Sequence, residues 1–202
     1  QFLRNLPESK KVFLLHGTVE SKVLYYRKVL ETKLLGKQAR KELRLITLDR
    51  ALLIKERTLL LNEVKTRSFF GGQKGVLLEN ISDKEVPIIV ETLNTLEEED
   101  PFLILTAGFL NKSSKLRKLI ESNISSCAIG FYQTEMSFAE ISNILEKWQV
   151  KVTENSVIAA LRDFSKIYDF LEFRQELKKL AIFRSDEKKI IGICLSLIHI
   201  SE

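Results

Sequence analysis

Gly17, Ser21 and Lys22 come closest to a nucleotide-handling pattern in this sequence, because they follow a short apolar run and begin a predicted helix. A glycine turn between a strand and a helix can cradle phosphates with its amides, while a lysine reaches the β- and γ-phosphates and a Ser or Thr binds magnesium. The segment lacks the second glycine of that pattern, and Val23 stands where the magnesium-binding hydroxyl belongs. We therefore interpret it as a degenerate phosphate loop that binds no nucleotide, with Lys22 as a solvated helix residue.

Phe69 and Phe70 are two adjacent large apolar side chains at the predicted end of a helix, and Gly71 and Gly72 follow them directly. Glycines at this position stop a helix and form a turn. Aromatic rings placed there either pack into the core or are offered to a partner. From these residues alone the core interpretation is favoured, because most aromatic side chains of globular proteins serve packing.

The histidines and cysteines give no support to the common catalytic and metal sites. Cys127 and Cys194 lie far apart, and neither has a second Cys or His at the spacing of metal ligands. His16 is the only histidine once His199 is set aside with the last eight residues, whose origin is discussed below. One histidine leaves no basis for Ser/His/Asp or Cys/His catalysis. We expect no catalytic residue, no metal and no cofactor, and a reduced, cytoplasmic compartment fits the two cysteines.

The charge balance permits nucleic-acid binding without requiring it, since 32 Lys and Arg against 27 Asp and Glu leave a net charge of +5. The basic positions Lys112, Lys115, Arg117 and Lys118 either contact nucleic acid or form the solvated face of a helix. No aromatic residues are interleaved with them to stack bases, which disfavours sequence-specific binding. No apolar run approaches the roughly 20 residues that a membrane span needs, so we predict a soluble protein.

Strand-length apolar runs alternate with amphipathic segments over residues 11–132, which predicts an α/β fold, a parallel sheet with helices on both sides. The pattern then becomes purely helical and predicts a small three-helix domain, whose first helix opens on a capping box of Ser137 and Glu140. The acidic run 97–100 is interpreted as a solvated helix end. The predicted strands are 11–15, 43–48, 76–79, 102–106 and 128–132, and the predicted helices are 18–30, 54–65, 88–96, 115–122, 137–148, 153–164 and 170–180.

The domain boundaries that follow are 1–132 for the α/β domain and 133–184 for the three-helix domain. Residues 195–202, Leu-Ser-Leu-Ile-His-Ile-Ser-Glu, can be back-translated into a transposon end sequence that is used to build sequencing libraries. We expect residues 185–202 to be a truncated end and the last eight of them to derive from adapter rather than from the gene.

Four stretches carry a further signal: Lys11–Gly17, Ser68–Asn80, Leu103–Leu119 and Phe170–Leu180. Together they resemble the delta subunit of bacterial DNA polymerase III, a clamp-loader family, in an alphaproteobacterial-like form. The resemblance covers about residues 10–184, and the second and third stretches are its most specific part.

The resemblance implies an AAA+-like domain without a functional phosphate loop, a three-helix lid, and a third, helical collar domain that is missing from this sequence. It also implies that the chain does not hydrolyse ATP itself, although the family belongs to a polymerase holoenzyme with nucleotidyltransferase activity. Related loader subunits that act on a neighbour's ATP carry a Ser-Arg-Cys motif with an arginine finger. The matching residues here, Ser125, Ser126 and Cys127, lack that charge.

In this family an apolar pair is pressed into a hydrophobic pocket of the sliding clamp, which opens the ring during DNA replication. Carried over, the clamp-binding residues are Ser68, Phe69 and Phe70, and Gly71 and Gly72 form the turn that presents them. The implied partners are the sliding clamp, the gamma/tau and delta prime subunits, and primed DNA within the assembled loader. An active AAA+ nucleotide hydrolase and a basic nucleic-acid-binding protein are the alternatives.

Overall fold

Five short apolar segments form a sheet in the order β2-β3-β4-β1-β5. Every neighbouring pair of strands is parallel, which confirms the predicted α/β class. Strands β1 and β3 are buried at every position, because helices cover both faces of the sheet. The strands are β1 (Val12–Gly17), β2 (Leu45–Leu48), β3 (Gly75–Leu78), β4 (Phe102–Ala107) and β5 (Ser126–Phe131).

Two compact units make up the chain, Gln1–Tyr132 and Gln133–Glu202. The sheet and the helices that cover it belong to the first unit, and the helices that follow β5 belong to the second. The computed structural model describes residues 6, 9–48, 50–66, 68, 71–133, 136–148, 150 and 155–183.

Helices cover both faces of the sheet in the first unit. Phe13 and Leu15 of β1 pack with α1 residues on one face. Val12 and Leu14 point to the other face, since successive strand residues alternate, and they pack with residues of the four shorter helices. The helices are α1 (Glu20–Leu35), α2 (Arg50–Lys55), α3 (Leu59–Lys65), α4 (Val86–Thr95) and α5 (Lys115–Ser122), and a 3₁₀ turn at Asp83–Glu85 leads into α4.

Two predicted helix limits are wrong. The single predicted helix 54–65 is two helices, α2 and α3. Helix α2 begins at Arg50, whose Nε donates to the buried Glu85 carboxylate at 2.8 Å. Helix α1 continues to Leu35, beyond its predicted end, and packs closely on the start of β3. An added Cβ on Gly75 would lie 2.6 Å from Leu35 Cδ1. At both limits a helix residue contacts a segment that is distant in sequence.

Leu43 was predicted to begin the second strand, but it lies in a turn with a φ of 53°. The amide of Arg44 donates to the Ala39 carbonyl at 2.8 Å, and the amide of Leu43 donates to the Arg40 carbonyl at 3.3 Å. This hydrogen-bond pattern is typical of a helix end, and it places Leu43 in the left-handed conformation in which glycine is usual. The Leu43 side chain is 72% exposed, so it gains little from burial in return.

Replacing Leu43 by glycine is expected to raise the free energy of unfolding by about 0.5–1 kcal/mol, because it removes the left-handed penalty of a residue that carries a Cβ. Urea denaturation followed by circular dichroism measures this change. The control is Leu43→Ala, which keeps the Cβ and is expected to leave the stability close to that of the parent. Equal stability of the glycine and alanine variants would contradict the explanation.

The second unit contains α6 (Phe138–Glu146), α7 (Asn155–Phe164) and α8 (Phe170–Phe183). The predicted capping box is confirmed: the Ser137 hydroxyl accepts from the Glu140 amide at 3.3 Å, and the Glu140 carboxylate accepts from the Ser137 amide at 2.8 Å. The predicted start of α7 near Thr153 lies outside the described residues. The buried apolar residues of this unit include Ile141, Leu145, Val157, Leu161, Phe173 and Leu177.

Candidate partner-binding loop

The loop of residues 66–74 joins α3 to β3 and contains the aromatic pair in its sequence. All five strands are parallel, so the loop that leads into Gly75 belongs to the amino edge of the sheet, where strands begin. The connection that follows Gly17 leaves from the opposite, carboxyl edge. The two regions singled out by the sequence therefore use opposite edges of one sheet.

Glycine permits the turn in this loop. Gly71 and Gly72 have φ angles of 73° and 76°, in the left-handed region that residues with a Cβ rarely adopt. The Gly71 amide donates to the Ser68 carbonyl at 3.4 Å. That bond spans the sequence positions of Phe69 and Phe70, which themselves lie outside the described residues. The Ser68 hydroxyl is buried and has no hydrogen-bond partner in the described part of the chain.

The ammonium group of Lys74 joins the end of the loop to its beginning. Lys74 is 5% exposed, and its Nζ donates to the Glu63 carbonyl at 2.9 Å, the Glu63 carboxylate at 2.9 Å and the Thr66 carbonyl at 3.2 Å. The carbonyls in the last turn of a helix have no partner within the helix, so Lys74 supplies part of a cap to α3. Lys74 was not predicted as a site residue, because a lysine that follows a glycine turn carries no local signal of burial.

Arg44 and Asp100, which lie outside the loop, hold its second half through Gln73. Arg44 Nη1 donates to the Gln73 carbonyl at 2.8 Å, and Gln73 Nε2 donates to the Asp100 carbonyl at 3.3 Å. Lys65 Nζ lies 2.6 Å from Asp100 Oδ2, and this hydrogen bond raises the pKa of Lys65. The prediction that the acidic run 97–100 is solvated is wrong for its last residue, since the Asp100 side chain is 12% exposed and paired.

At the other edge, the segment after β1 is short for a phosphate loop, since only Thr18 and Val19 separate β1 from α1. The Gly17 amide donates to the Gly108 carbonyl at 3.1 Å. A Cβ on Gly17 would lie 1.8 Å from the carbonyl oxygen of Phe131, so this glycine permits a close approach between β1 and β5.

Ser21 and Lys22, the other two residues of the predicted degenerate phosphate loop, lie in the first turn of α1. Ser21 is half-buried. The prediction that Lys22 is a solvated helix residue is wrong, because Lys22 is only 9% exposed. The first turn of α1 packs on the sheet through Val23, and a long lysine stem can lie along such an apolar surface.

The remaining histidine and the residue at the arginine-finger position are both buried. His16 is 2% exposed, and its Nδ1 has no hydrogen-bond partner within the described residues. Burial lowers the pKa of His16, and the nearby positive charge of Arg117 lowers it further, so the imidazole is neutral at neutral pH. Ser126 begins β5, and its hydroxyl donates to Asn123 Oδ1 at 2.9 Å.

The basic helix α5 is partly engaged in contacts of its own. Arg117 binds Glu121 at 2.7 Å and the Tyr132 hydroxyl at 3.2 Å, so its guanidinium is not simply a solvated charge. The Asp83 carboxylate accepts hydrogen bonds from the Ser114 hydroxyl at 2.6 Å and the Leu116 amide at 2.9 Å. These two bonds lower the pKa of Asp83 and place a negative charge at the amino end of the helix.

The described residues contain neither a membrane-spanning helix nor a metal-binding cluster. None of their helices combines the length and the apolar character that crossing a membrane requires. Within the same residues, no group of three or more His, Cys, Asp or Glu side chains is placed to hold a metal ion. Cys127 is a free thiol whose pKa is raised by burial, which lowers its reactivity at neutral pH.

No protein-family model matches the sequence, and no curated protein matches it. The structure of the Bacillus subtilis DNA clamp loader delta protein (YqeN) is similar, with a TM-score of 0.63 and 18% identity, over 95% of this chain and 57% of that chain. The FIGL-1 AAA domain is less similar, with a TM-score of 0.44 and 13% identity, over 86% of this chain and 60% of that chain. The chain thus spans less than two thirds of either protein. At this identity the first likeness shows the fold alone: the predicted α/β class, a parallel sheet with flanking helices, is confirmed, and the chain is folded like that delta protein over 95% of its length.

Proposed function

We propose that this chain is a clamp-loader subunit of the delta type, which acts in DNA replication by binding the sliding clamp and opening its ring. The observation that carries the proposal is the likeness to the Bacillus subtilis clamp loader delta protein over 95% of the chain. In this proposal residues 1–132 are the AAA+-like domain and residues 133–184 are the lid. This chain spans 57% of the length of that delta protein. We therefore propose assembly with the gamma/tau and delta prime subunits, and with primed DNA, for the whole protein.

The clamp-binding residues in this proposal are Ser68, Phe69 and Phe70, presented by the turn at Gly71 and Gly72. The geometry of the surrounding loop supports this role in two ways. The turn has left-handed glycines next to the aromatic positions, and the loop is held at both ends by side-chain bonds. A loop that is fixed at both ends loses less conformational freedom when it binds a partner.

The proposed role does not include ATP hydrolysis by this chain. Three features support a chain that does not hydrolyse ATP. They are the two-residue connection between β1 and α1, the close packing of Gly17 against β5, and Val23 at the magnesium position. Nucleotide hydrolysis needs a phosphate cradle followed by a Ser or Thr for magnesium. A sequence-specific nucleic-acid role is disfavoured, because no aromatic residues are interleaved with the basic positions of α5 to stack bases.

Binding and opening of the ring are tested with the full 202-residue chain and the cognate sliding clamp. The clamp carries a donor and an acceptor dye on either side of its subunit interface, so energy transfer falls when the ring opens. We expect saturable binding and loss of energy transfer, with or without ATP. A clamp whose interface is cross-linked by a disulfide is the control, since it should bind the chain without a change in energy transfer. Absence of binding at micromolar concentrations would contradict the proposal.

A further inference from the structure

Lys74 is a buried charge whose hydrogen-bonding capacity is fully used. An ammonium group has three N–H donors. Those of Lys74 meet three acceptors, the carbonyl and the carboxylate of Glu63 and the carbonyl of Thr66, at 2.9, 2.9 and 3.2 Å. A charged group that is 5% exposed is costly unless it is paired in this way, so the arrangement depends on all of its partners.

The Lys74 ammonium group and its acceptors on Glu63 and Thr66 connect the two ends of the loop, and we call this group of hydrogen bonds the clasp. Thr66 follows the last residue of α3, and Lys74 precedes the first residue of β3, so the bond between them joins the two ends of residues 66–74. The backbone of Lys74 is fixed to the sheet, because its carbonyl accepts from the Phe102 amide at 3.0 Å. The clasp therefore connects the end of α3 with the edge of the sheet.

We propose that Lys74 is a positioning residue, which holds the 66–74 loop in the geometry that binds the clamp. This inference rests on the proposed function, and it adds a residue that does not itself touch the partner. Without the clasp the loop would sample more conformations, and binding would have to restrict them again. The loss would appear in the clamp affinity and in the order of the loop.

Lys65 offers a matched control for Lys74. It lies at the end of the same helix, but its side chain is 42% exposed and it binds Asp100 and the Thr95 carbonyl, which are outside the loop. Lysine-to-methionine substitution removes the same charge at both positions and keeps a similar apolar stem. An exposed ion pair contributes little, so the loss of Lys65 should be felt weakly.

The experiment compares Lys74→Met with Lys65→Met in the full chain. We expect Lys74→Met to weaken clamp binding by about tenfold or more, and Lys65→Met by less than about threefold. Hydrogen exchange is expected to become faster at the amides of residues 66–73 in Lys74→Met, with exchange elsewhere in the sheet unchanged. In the Phe69→Ala, Phe70→Ala background, Lys74→Met should cause no further loss of affinity, because positioning matters only while the pair is present.

A Lys74→Met protein that melts at a lower temperature, yet binds the clamp with the parent affinity and shows the parent loop exchange, would overturn the inference. If Lys74→Met does not fold, Glu63→Gln carries the same test, since it removes the negative partner and leaves the helix backbone intact; a smaller change in the same direction is expected. Failure of the parent chain to bind the clamp would overturn the proposed function and, with it, the role of Lys74 in clamp binding. Hydrogen exchange would still decide whether Lys74 orders the loop.

Discussion

Replacing Phe69 and Phe70 together by alanine is expected to weaken binding of the cognate sliding clamp about 100- to 1,000-fold, or by about 3–4 kcal/mol. Two aromatic rings that enter an apolar pocket of a partner bury most of the energetically important area of a small interface. The loop that contains them is braced by Lys74 and Arg44, so alanine at the two positions should remove the rings without releasing the loop. Isothermal titration calorimetry measures the affinity.

Phe109→Ala is the matched control for the aromatic pair. Phe109 is 62% exposed and follows β4, so it belongs to the carboxyl edge of the sheet, away from the 66–74 loop. Its replacement is expected to change the clamp affinity less than about twofold. If the double variant binds like the parent, the pair is not the contact. If it unfolds while Phe109→Ala stays folded, the core-packing interpretation of Phe69 and Phe70 is correct.

Replacing Gly17 by alanine is expected to lower the free energy of unfolding by about 3 kcal/mol or more. The new Cβ would lie 1.8 Å from the carbonyl oxygen and 2.8 Å from the amide nitrogen of Phe131. These are backbone atoms of β5, which pairs with β1 from Val12 to Gly17, so they cannot move away without disturbing the sheet. The φ of 150° at Gly17 adds strain for any residue with a Cβ. Urea denaturation followed by circular dichroism measures the loss.

Gly108→Ala is the control for this substitution, because nothing lies within 4 Å of an added Cβ there and its carbonyl still accepts from Gly17. We expect its stability to stay within about 0.5 kcal/mol of the parent. A Gly17→Ala protein with the parent's urea midpoint would contradict the close approach. The same measurement tests the nucleotide alternative: ATP that binds the native state raises the midpoint, and we expect no such rise in the parent.

The fold class could be predicted because its signals are local. Phe13 and Leu15 face α1 while Val12 and Leu14 face the other helices, so a strand covered on both sides must be apolar at every position. The capping box of Ser137 is local for the same reason, since both of its partners lie within one helical turn.

The details that could not be predicted depend on hydrogen bonds and ion pairs that the apolar pattern does not reveal. Leu43 extends the apolar pattern of the strand that follows it, but the turn closed by Arg44 and Ala39 places it in a left-handed conformation. Arg50, the first residue of α2, forms an ion pair with Glu85, which is 35 residues away. Residue periodicity contains no information about either partner, and the competing tertiary contact prevails over local preference.

The candidate site divides in the same way. The turn at Gly71 and Gly72 was visible in the sequence by itself, because the ability to adopt a left-handed conformation belongs to glycine and needs no partner. The burial of Lys74 and the ion pair of Asp100 with Lys65 were decided only by the tertiary structure. A charged side chain leaves water only where other groups satisfy its hydrogen bonds, and for Lys74 those groups arrive from the end of α3 when the chain has folded.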